Sequence, residues 1–512
     1  MKQVLFVAAE NAALPGGKVG GIGDVIRDLP VALAGQGWAT TVLTPAYGAL
    51  HELPGVVAEG SIAVDFAGQR ENVQVYRLPG EPDGVAHRVL DHPHFAPSGA
   101  GTIYDDDGPH RPFATDASKF AFLCAAAATY IRDVQQPDVV HLHDWHAALL
   151  LLLRESDPQF AALRDIPCVY TIHNLALQGI RPLDGDASSL AAWFPNLAYN
   201  MQDVVDPRYA DCINPMALGI RLADRVNTVS PTYAREVLQP DDPAAGFLGA
   251  EGLESVTRAA DAEGRLVGIL NGCMYPKGRR PHGWQPLARE LKKLQAGDEL
   301  LQRFSRRRPR SVVTSVGRVT AQKVGLLLQP VETAPTALDA ILQSLGDDSV
   351  FVMLGSGDPQ LEADLHDVCN RHNNALFVNS FSEGLANHLY DCGDLFLMPS
   401  TFEPCGISQL LAMRAGQPCV VHGVGGLRDT VSDGETGFVF NGDTPAAQAE
   451  AFVATTQSAL QLRAENPDRW QAISRAAAKQ RFTWDDAACA YIAELYSNAR
   501  TVAEEKTYAT GH

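Results

Sequence analysis

The stretch LFLMPSTFEPCGISQLLAMRAGQPCVV, Leu395–Val421, decides how the chain is read. Leu395–Met398 is a continuous apolar run, as expected of a strand covered on both faces. Gly406–Arg414 has helical spacing, and Cys419–Val421 is apolar again. Strand, helix and strand in close succession are the unit of a parallel sheet with right-handed crossovers. Between the first strand and the helix stands Glu403, followed by Pro404-Cys405-Gly406. In an open α/β sheet that is the place where ligands bind.

The same unit recurs along the chain. Strand-like runs are expected at Val4–Ala9, Thr40–Leu43, Val139–Leu142, Cys168–Ile172, Val226–Val229 and Val267–Leu270. A second series follows at Val312–Val316, Val350–Leu354, Leu376–Val378, Leu395–Met398 and Cys419–Val421. Helical patterns lie between them, at Val25–Leu33, Ser118–Ile131 and Ala147–Leu153 among others. Pro276–Arg310 is polar, rich in Lys and Arg, and lacks a strand signal, so it reads as the linker and entry to a second domain. The expectation is α/β, with two doubly wound domains facing across a cleft, residues 1–270 and 271–483. Residues 83–115 suggest a long excursion or a small hairpin, and residues 180–212 a surface insertion.

The chain has 512 residues and a formal charge of −19. That balance argues against non-specific binding to nucleic acid or an anionic membrane. Nine scattered cysteines form no CxxC pair and suggest neither a zinc site nor a disulfide framework. The first apolar run is short and closed by Glu10, which reads as a strand rather than a signal peptide. No apolar stretch approaches a membrane span. A cytoplasmic location is expected.

Several loops after strands carry chemistry. LPGGKVGGIGDV, Leu14–Val25, is a Gly-rich turn between strand and helix, an arrangement that offers N–H groups to a phosphate. Lys18 adds a mobile charge, and Gly20 and Gly21 permit close approach. The loop is neither a dinucleotide fingerprint nor a Walker A sequence; an ordinary Gly-rich turn with a solvated lysine has the same pattern. VVHLHDWHAALL, Val139–Leu150, ends a strand in His141, His143, Asp144 and His146. Positions i and i+2 of a strand share a face while His146 lies past its end. This favours polar groups in a crevice, with Asp144 bonded locally, over a metal site, which stays open as the alternative.

VYTIHNLALQG, Val169–Gly179, delivers His173 and Asn174 at the same level, where a satisfied core histidine is the competing reading. TSVGRVTAQKVG, Thr314–Gly325, places Arg318 at a strand end and Lys323 five residues on. Two cations there suit a departing pyrophosphate. Cys405 and Gly406 open a helix whose N–H groups could face an anion, and HGVGGLRDTV, His422–Val431, repeats the theme. Together these pieces point to group transfer from a nucleotide diphosphate. Cations do the neutralising, so neither a metal nor any other cofactor is expected.

From KVGG at Lys18–Gly21 through HDWHA, TIHNLALQG, GILNG, GRVTAQK, FEPCG and GGLRDTV to GETGFVF at Gly434–Phe440, the sequence resembles the bacterial glycogen and starch synthases. These are retaining glucosyltransferases of the GT-B fold. The resemblance covers nearly the whole chain in the family's order. It implies transfer of glucose from ADP-glucose to an α-1,4-glucan such as glycogen. Lys18, Gly20 and Gly21 would then lie against the donor diphosphate and glucose. Arg318 and Lys323 would neutralise the leaving diphosphate, and Glu403, beside Cys405 and Gly406, would hold glucose hydroxyls. His173, Asp144 and Asn271 would face the glucose and acceptor side, Phe381 would stack on the donor base, and Gly425, Gly426 and Leu427 would approach the phosphates by backbone. Trp484–Tyr496, in a segment 484–512, is the candidate for a helix crossing back to the first domain.

Some positions depart from the family. The family's acid after the Asn-Gly turn, as in NGID or NGVD, is missing from Asn271-Gly272-Cys273-Met274-Tyr275, and QKG becomes Gln322-Lys323-Val324-Gly325, so the helix after Lys323 is expected to start differently. Leu411 stands where many related transferases carry a second Glu. Two other readings remain: a GT-B transferase using UDP-glucose or another acceptor, and a non-catalytic glucan- or nucleotide-sugar-binding regulator.

Overall fold

The computed structural model describes residues 1–497 apart from 81, 277, 279–281, 295–298, 305, 306 and 381. Phe381 and the tail after Ser497 therefore lie outside the described residues.

Two sheets organise the chain. The first contains β1 (Lys2–Val7), β2 (Trp38–Pro45), β3 (Val57–Phe66), β4 (Gln69–Arg77), β5 (Val85–Asp91), β6 (Val139–His143) and β7 (Cys168–Ile172). After a two-stranded ribbon of β8 (Arg181–Pro182) and β9 (Cys212–Ile213), β10 (Arg225–Thr228) and β11 (Leu266–Gly268) complete it. The order is β11-β10-β7-β6-β1-β2-β5-β4-β3, parallel from β11 to β5 and antiparallel thereafter. The second sheet contains β12 (Val312–Val316), β13 (Val350–Gly355), β14 (Ala375–Asn379), β15 (Leu395–Met398), β16 (Cys419–His422) and β17 (Phe438–Phe440). Its order is β14-β13-β12-β15-β16-β17, all parallel.

Burial explains the continuous apolar strands. Leu5 and Val7 of β1 enter one core with the helices Ala114–Asp133 and Asp144–Ser156, while Val4 and Phe6 enter another with the helix Gly21–Gly35. Both faces of the strand are thus covered, so period-2 alternation has no role. The edge strand β3 differs: most of its outer residues are exposed and only Ile62, Val64 and Phe66 turn inward.

Three regions correct the sequence reading. The hairpin lies at β3–β4, upstream of residues 83–115, which instead supply β5 and the short helix Pro93–Phe95. Residues 180–212 are not only surface, because Leu190 and Trp193 are fully buried against the first core. The stretch 276–310 is more than a linker. Its helices Trp284–Leu294 and Glu299–Arg303 bury Trp284, Leu287, Leu291 and Phe304 against β12, β13 and β14. The spacing of Trp284, Leu287 and Leu291 is helical, but the Lys and Arg around them obscure it.

After the second sheet the chain passes through the helices Pro445–Glu465 and Pro467–Lys479 and returns to the first sheet. Trp484, Ala488, Tyr491 and Leu495 pack there with Val4, Phe6, Val25 and Ile26. The last turn, Tyr491–Tyr496, is π-helical. No helix among the described residues is long and apolar enough to cross a membrane.

Candidate active site

The carboxyl ends of the two sheets meet. Ser230 Oγ donates to the Pro404 carbonyl at 2.5 Å, and Thr232 gives its N–H (2.8 Å) and Oγ1–H (2.6 Å) to Asp429. The Gly425 N–H donates to Glu236 Oε1 at 2.8 Å.

At the end of β1 the buried Glu10 organises the Gly-rich loop. Its Oε2 accepts the N–H of Val19 (2.8 Å) and of Gly20 (2.6 Å), and its Oε1 accepts the Tyr104 hydroxyl at 2.8 Å. The Gly20 N–H expected to face a phosphate is thus taken by a carboxylate. Gly21 is the first residue of the helix Gly21–Gly35. Lys18 Nζ sits on Asp24 in the first turn of that helix, 2.6 Å from Oδ2.

Beside it, Asp144 begins the helix Asp144–Ser156 in the left-handed region, φ 52°. That conformation costs a non-glycine residue about 1–3 kcal/mol. It accompanies a specific contact: Oδ1 accepts the His173 N–H at 2.7 Å. Burial raises the Asp144 carboxyl to about 8, against the pull of the His173 and Asn174 N–H groups. His173 itself is half-buried, and desolvation lowers it to about 3. Its Nε2 meets His143 Nδ1 at 2.9 Å. His141, one layer deeper, contacts Thr171 Oγ1 (2.6 Å) and the Tyr496 hydroxyl (2.9 Å). The returning C-terminal turn therefore touches the same histidine strand as the site.

On the second sheet, Lys323 Nζ and Glu403 Oε2 form a close ion pair, and Ser400 Oγ donates to the same oxygen at 3.0 Å. The helix here is Ala321–Leu328 with Thr320 at its cap, so Lys323 lies within its first turn. Arg318 is exposed, and its guanidinium has no hydrogen bond or ion pair among the described residues. Cys405 is buried, its thiol pushed up to about 12 by desolvation and in hydrogen-bond contact with the Asn271 backbone. Asn271 is buried too, and its Oδ1 has no partner among the described residues.

Two expectations about backbone donors need correction. The helix after Glu403 is Ser408–Arg414, because Gly406 takes φ +78° and cannot belong to its first turn. The N–H groups of Gly425, Gly426 and Leu427 are already used, by Glu236 Oε1, the Glu403 carbonyl and the Val424 carbonyl respectively. These glycines serve close packing instead: a Cβ at Gly425 would strike the Glu403 carbonyl, and one at Gly426 the Cys405 carbonyl. Phe381 lies outside the described residues.

In the Cys273-Met274-Tyr275 stretch that lacks the family's acid, Cys273 is buried with Arg414 and Tyr275 near its thiol, its N–H donates to the Phe482 carbonyl at 2.7 Å, and Met274 is exposed. Among the described residues, one group places three metal-capable atoms together: Glu71, His92 and His94. His92 Nδ1 already accepts the His94 N–H, so its Nε2 carries the proton facing Glu71. That contact accounts for the cluster, which lies at β4 and β5 and shares no residue with the site. Glu10, Tyr104, Glu236 and Ser400 were not singled out from sequence. Only Glu10 had a signal, an acid closing an apolar strand.

Two parallel-sheet α/β domains with polar groups gathered at facing carboxyl ends define a GT-B glycosyltransferase. Residues 3–259 match the starch synthase catalytic domain family, and residues 310–458 match the glycosyl transferases group 1 family. The chain is 33% identical to a glycogen synthase of Streptococcus sanguinis, over 97% of this chain and 99% of that one. It is 34% identical to a glycogen synthase of Paracoccus denitrificans, again over 97% and 99%. The catalytic domain of starch synthase IV from Arabidopsis thaliana, solved with ADP and acarbose, superposes with a TM-score of 0.79 at 25% identity, covering 98% of this chain and 99% of that one. The chain belongs to the glycogen and starch synthase family of glucosyltransferases.

Proposed function

We propose that the protein transfers glucose from ADP-glucose to the non-reducing end of an α-1,4-glucan with retention of configuration. The observation that carries this is the Lys323–Glu403 pair at one sheet's carboxyl end, with Asp144 and His173 at the carboxyl end of the other, in a chain similar to glycogen synthases end to end. The Arabidopsis relative bound to ADP supports the choice of base. In this reading Arg318 and Lys323 neutralise the diphosphate as it leaves, Glu403 holds glucose hydroxyls, and Asp144, His173 and Asn271 line the sugar and acceptor side. Lys18, Gly20 and Gly21 close over the donor, Cys405 and Gly406 shape its pocket, and Phe381 stacks on the base. Gly425 and Gly426 support Glu403 from behind, and Leu427 anchors their helix in the core.

The bond from glucose C1 to the diphosphate oxygen breaks, and a bond from C1 to the acceptor hydroxyl oxygen forms on the same face. The acceptor proton passes to the departing phosphate, so no side-chain base is required. Lys323 is paired with Glu403 in this structure, so donor binding must share or release that contact, and closure of the cleft would bring both lobes onto the donor. We place the domain limits at 1–270 and 271–483, with a last segment 484–512 whose Trp484–Tyr496 part returns to the first domain.

The test is transfer of radiolabelled glucose to glycogen from ADP-glucose and, in parallel, from UDP-glucose, with Glu403→Ala as control. Incorporation from ADP-glucose that the substitution abolishes is expected. Incorporation from UDP-glucose alone would overturn the donor, and none from either would overturn the reaction.

A further inference from the structure

We infer that His143 is a positioning residue: it donates its Nδ1–H to His173 Nε2 and so holds His173 in the tautomer that presents Nδ1–H at the carboxyl end of the first sheet. The kinetic part of this inference rests on the transfer reading above; the tautomer itself does not.

The argument is one of hydrogen-bond direction. The contact between the two rings is 2.9 Å, so one nitrogen donates and the other accepts. His143 is fully buried, with Phe6 stacked at 5.5 Å and 13° and His141 at 4.3 Å. Its remaining nitrogen, Nε2, is sealed and has no partner among the described residues. If His143 accepted at Nδ1, its Nε2 would carry an orphaned buried N–H. If it donates at Nδ1, Nε2 keeps only an unused lone pair. Orphaned buried N–H groups are the rarer of the two, so the donating arrangement is favoured.

The neighbours do not alter this direction. Thr171 Oγ1 donates to Asn227 Oδ1 at 2.6 Å, because Asn227 uses its Nδ2 on the Thr228 carbonyl and the Tyr491 hydroxyl. Thr171 therefore accepts from His141 Nε2–H, and His141 Nδ1 accepts the Tyr496 hydroxyl. His141 is saturated and offers nothing to His143. Burial holds both His143 and His173 below the usual imidazole range, so the rings are neutral and the choice of tautomer is real. With Nε2 engaged, His173 Nδ1 is neither hydrogen-bonded nor sealed among the described residues. A fixed N–H donor there suits an acceptor such as a sugar hydroxyl oxygen, and an unfixed ring would present a lone pair part of the time.

The experiment is ring nitrogen NMR on protein labelled with ¹⁵N-histidine, with His173→Asn to assign the His173 signals. A protonated Nδ1 and an unprotonated Nε2 on His173 are expected in the wild type. His143→Asn places an amide donor near the Nδ1 position and is expected to keep that tautomer. His143→Phe keeps a ring but no donor, and is expected to lose the single tautomer. With ADP-glucose, kcat of His143→Phe should fall about tenfold while the donor KM changes by less than about twofold, and His143→Asn should recover most of the loss. A wild-type His173 protonated at Nε2 overturns the inference, whatever the variants do. So does an unchanged tautomer in His143→Phe. If the wild type moves no glucose, the transfer reading fails, and the ring signals still decide this one.

Discussion

At the ends of β6 and β7 in the first sheet, the polar groups are linked and uncharged; at the end of the second sheet lie the Lys323–Glu403 ion pair and the exposed Arg318. His141, His143 and His173 are kept neutral by desolvation, and the same desolvation raises Asp144 to about 8. Lys323 and Glu403 form an ion pair, and Arg318 stands exposed nearby. Neutral donors and acceptors in fixed directions suit the hydroxyls of a sugar. Mobile cations suit a diphosphate, whose charge grows as it leaves. The division also keeps imidazolium charge away from the sugar side, where it would compete with Arg318 and Lys323 for the phosphates.

Removing a charge from the second half tests the contrast most severely. Arg318→Ala should lower kcat by about 10²–10³-fold. Because the side chain is exposed and unpaired in the described structure, stability should change by less than about 0.5 kcal/mol. A large drop in melting temperature would mean that Arg318 is structural. Next is Gly426→Ala, whose Cβ would strike the Cys405 carbonyl. A shift of that backbone should cost about 1–3 kcal/mol and also lower transfer, because the Gly426 N–H holds the Glu403 carbonyl. Denaturant midpoints and glucose transfer read the two effects.

The neutral half is tested by pH. A carboxyl raised to about 8 holds a proton in the folded chain that the unfolded chain releases near pH 4. Wild-type stability should therefore lose ground as pH rises from about 4 to about 8, with the cost complete above that. Asp144→Asn does not titrate, so its stability relative to the wild type should climb between pH 5 and pH 8.5, as denaturant melts would show. A constant difference would mean that Asp144 is charged. The histidines act with opposite sign. Lowered to about 3 in the fold, His173 refuses protons that the unfolded chain takes up below about 6.5, so it weakens the protein as pH falls through that value.

The smallest effect is expected where the halves touch. Thr232→Val removes one of two hydrogen bonds to Asp429 and should cost about 1 kcal/mol. If closure breaks this contact, the variant will instead alter the donor KM, which steady-state kinetics would reveal.

Much of this contrast was legible in the sequence. Arg318 after a buried strand, Glu403 before Pro-Cys-Gly, and Asp144 and His173 at strand ends were all visible, because a parallel sheet sends the end of every strand to the same edge. The strands could be read for a related reason: burial on both faces leaves a continuous apolar run. The hairpin at Val57–Arg77 was missed because its outer strand is mostly exposed and polar. The helices at 284–303 were missed because a few buried residues stand among many Lys and Arg.

By itself, then, the sequence determined the parallel strands of the two sheets and which residues reach their carboxyl ends. Those follow from local periodicity and from the geometry of strands. Only the tertiary structure decided how those residues are engaged: that Glu10 takes the Gly20 N–H, that Glu236 takes the Gly425 N–H, and that Tyr496 lies under His141. These contacts join positions from 10 to 355 residues apart. Hydrogen-bond direction and desolvation arise only when such positions pack together, so no local pattern records them.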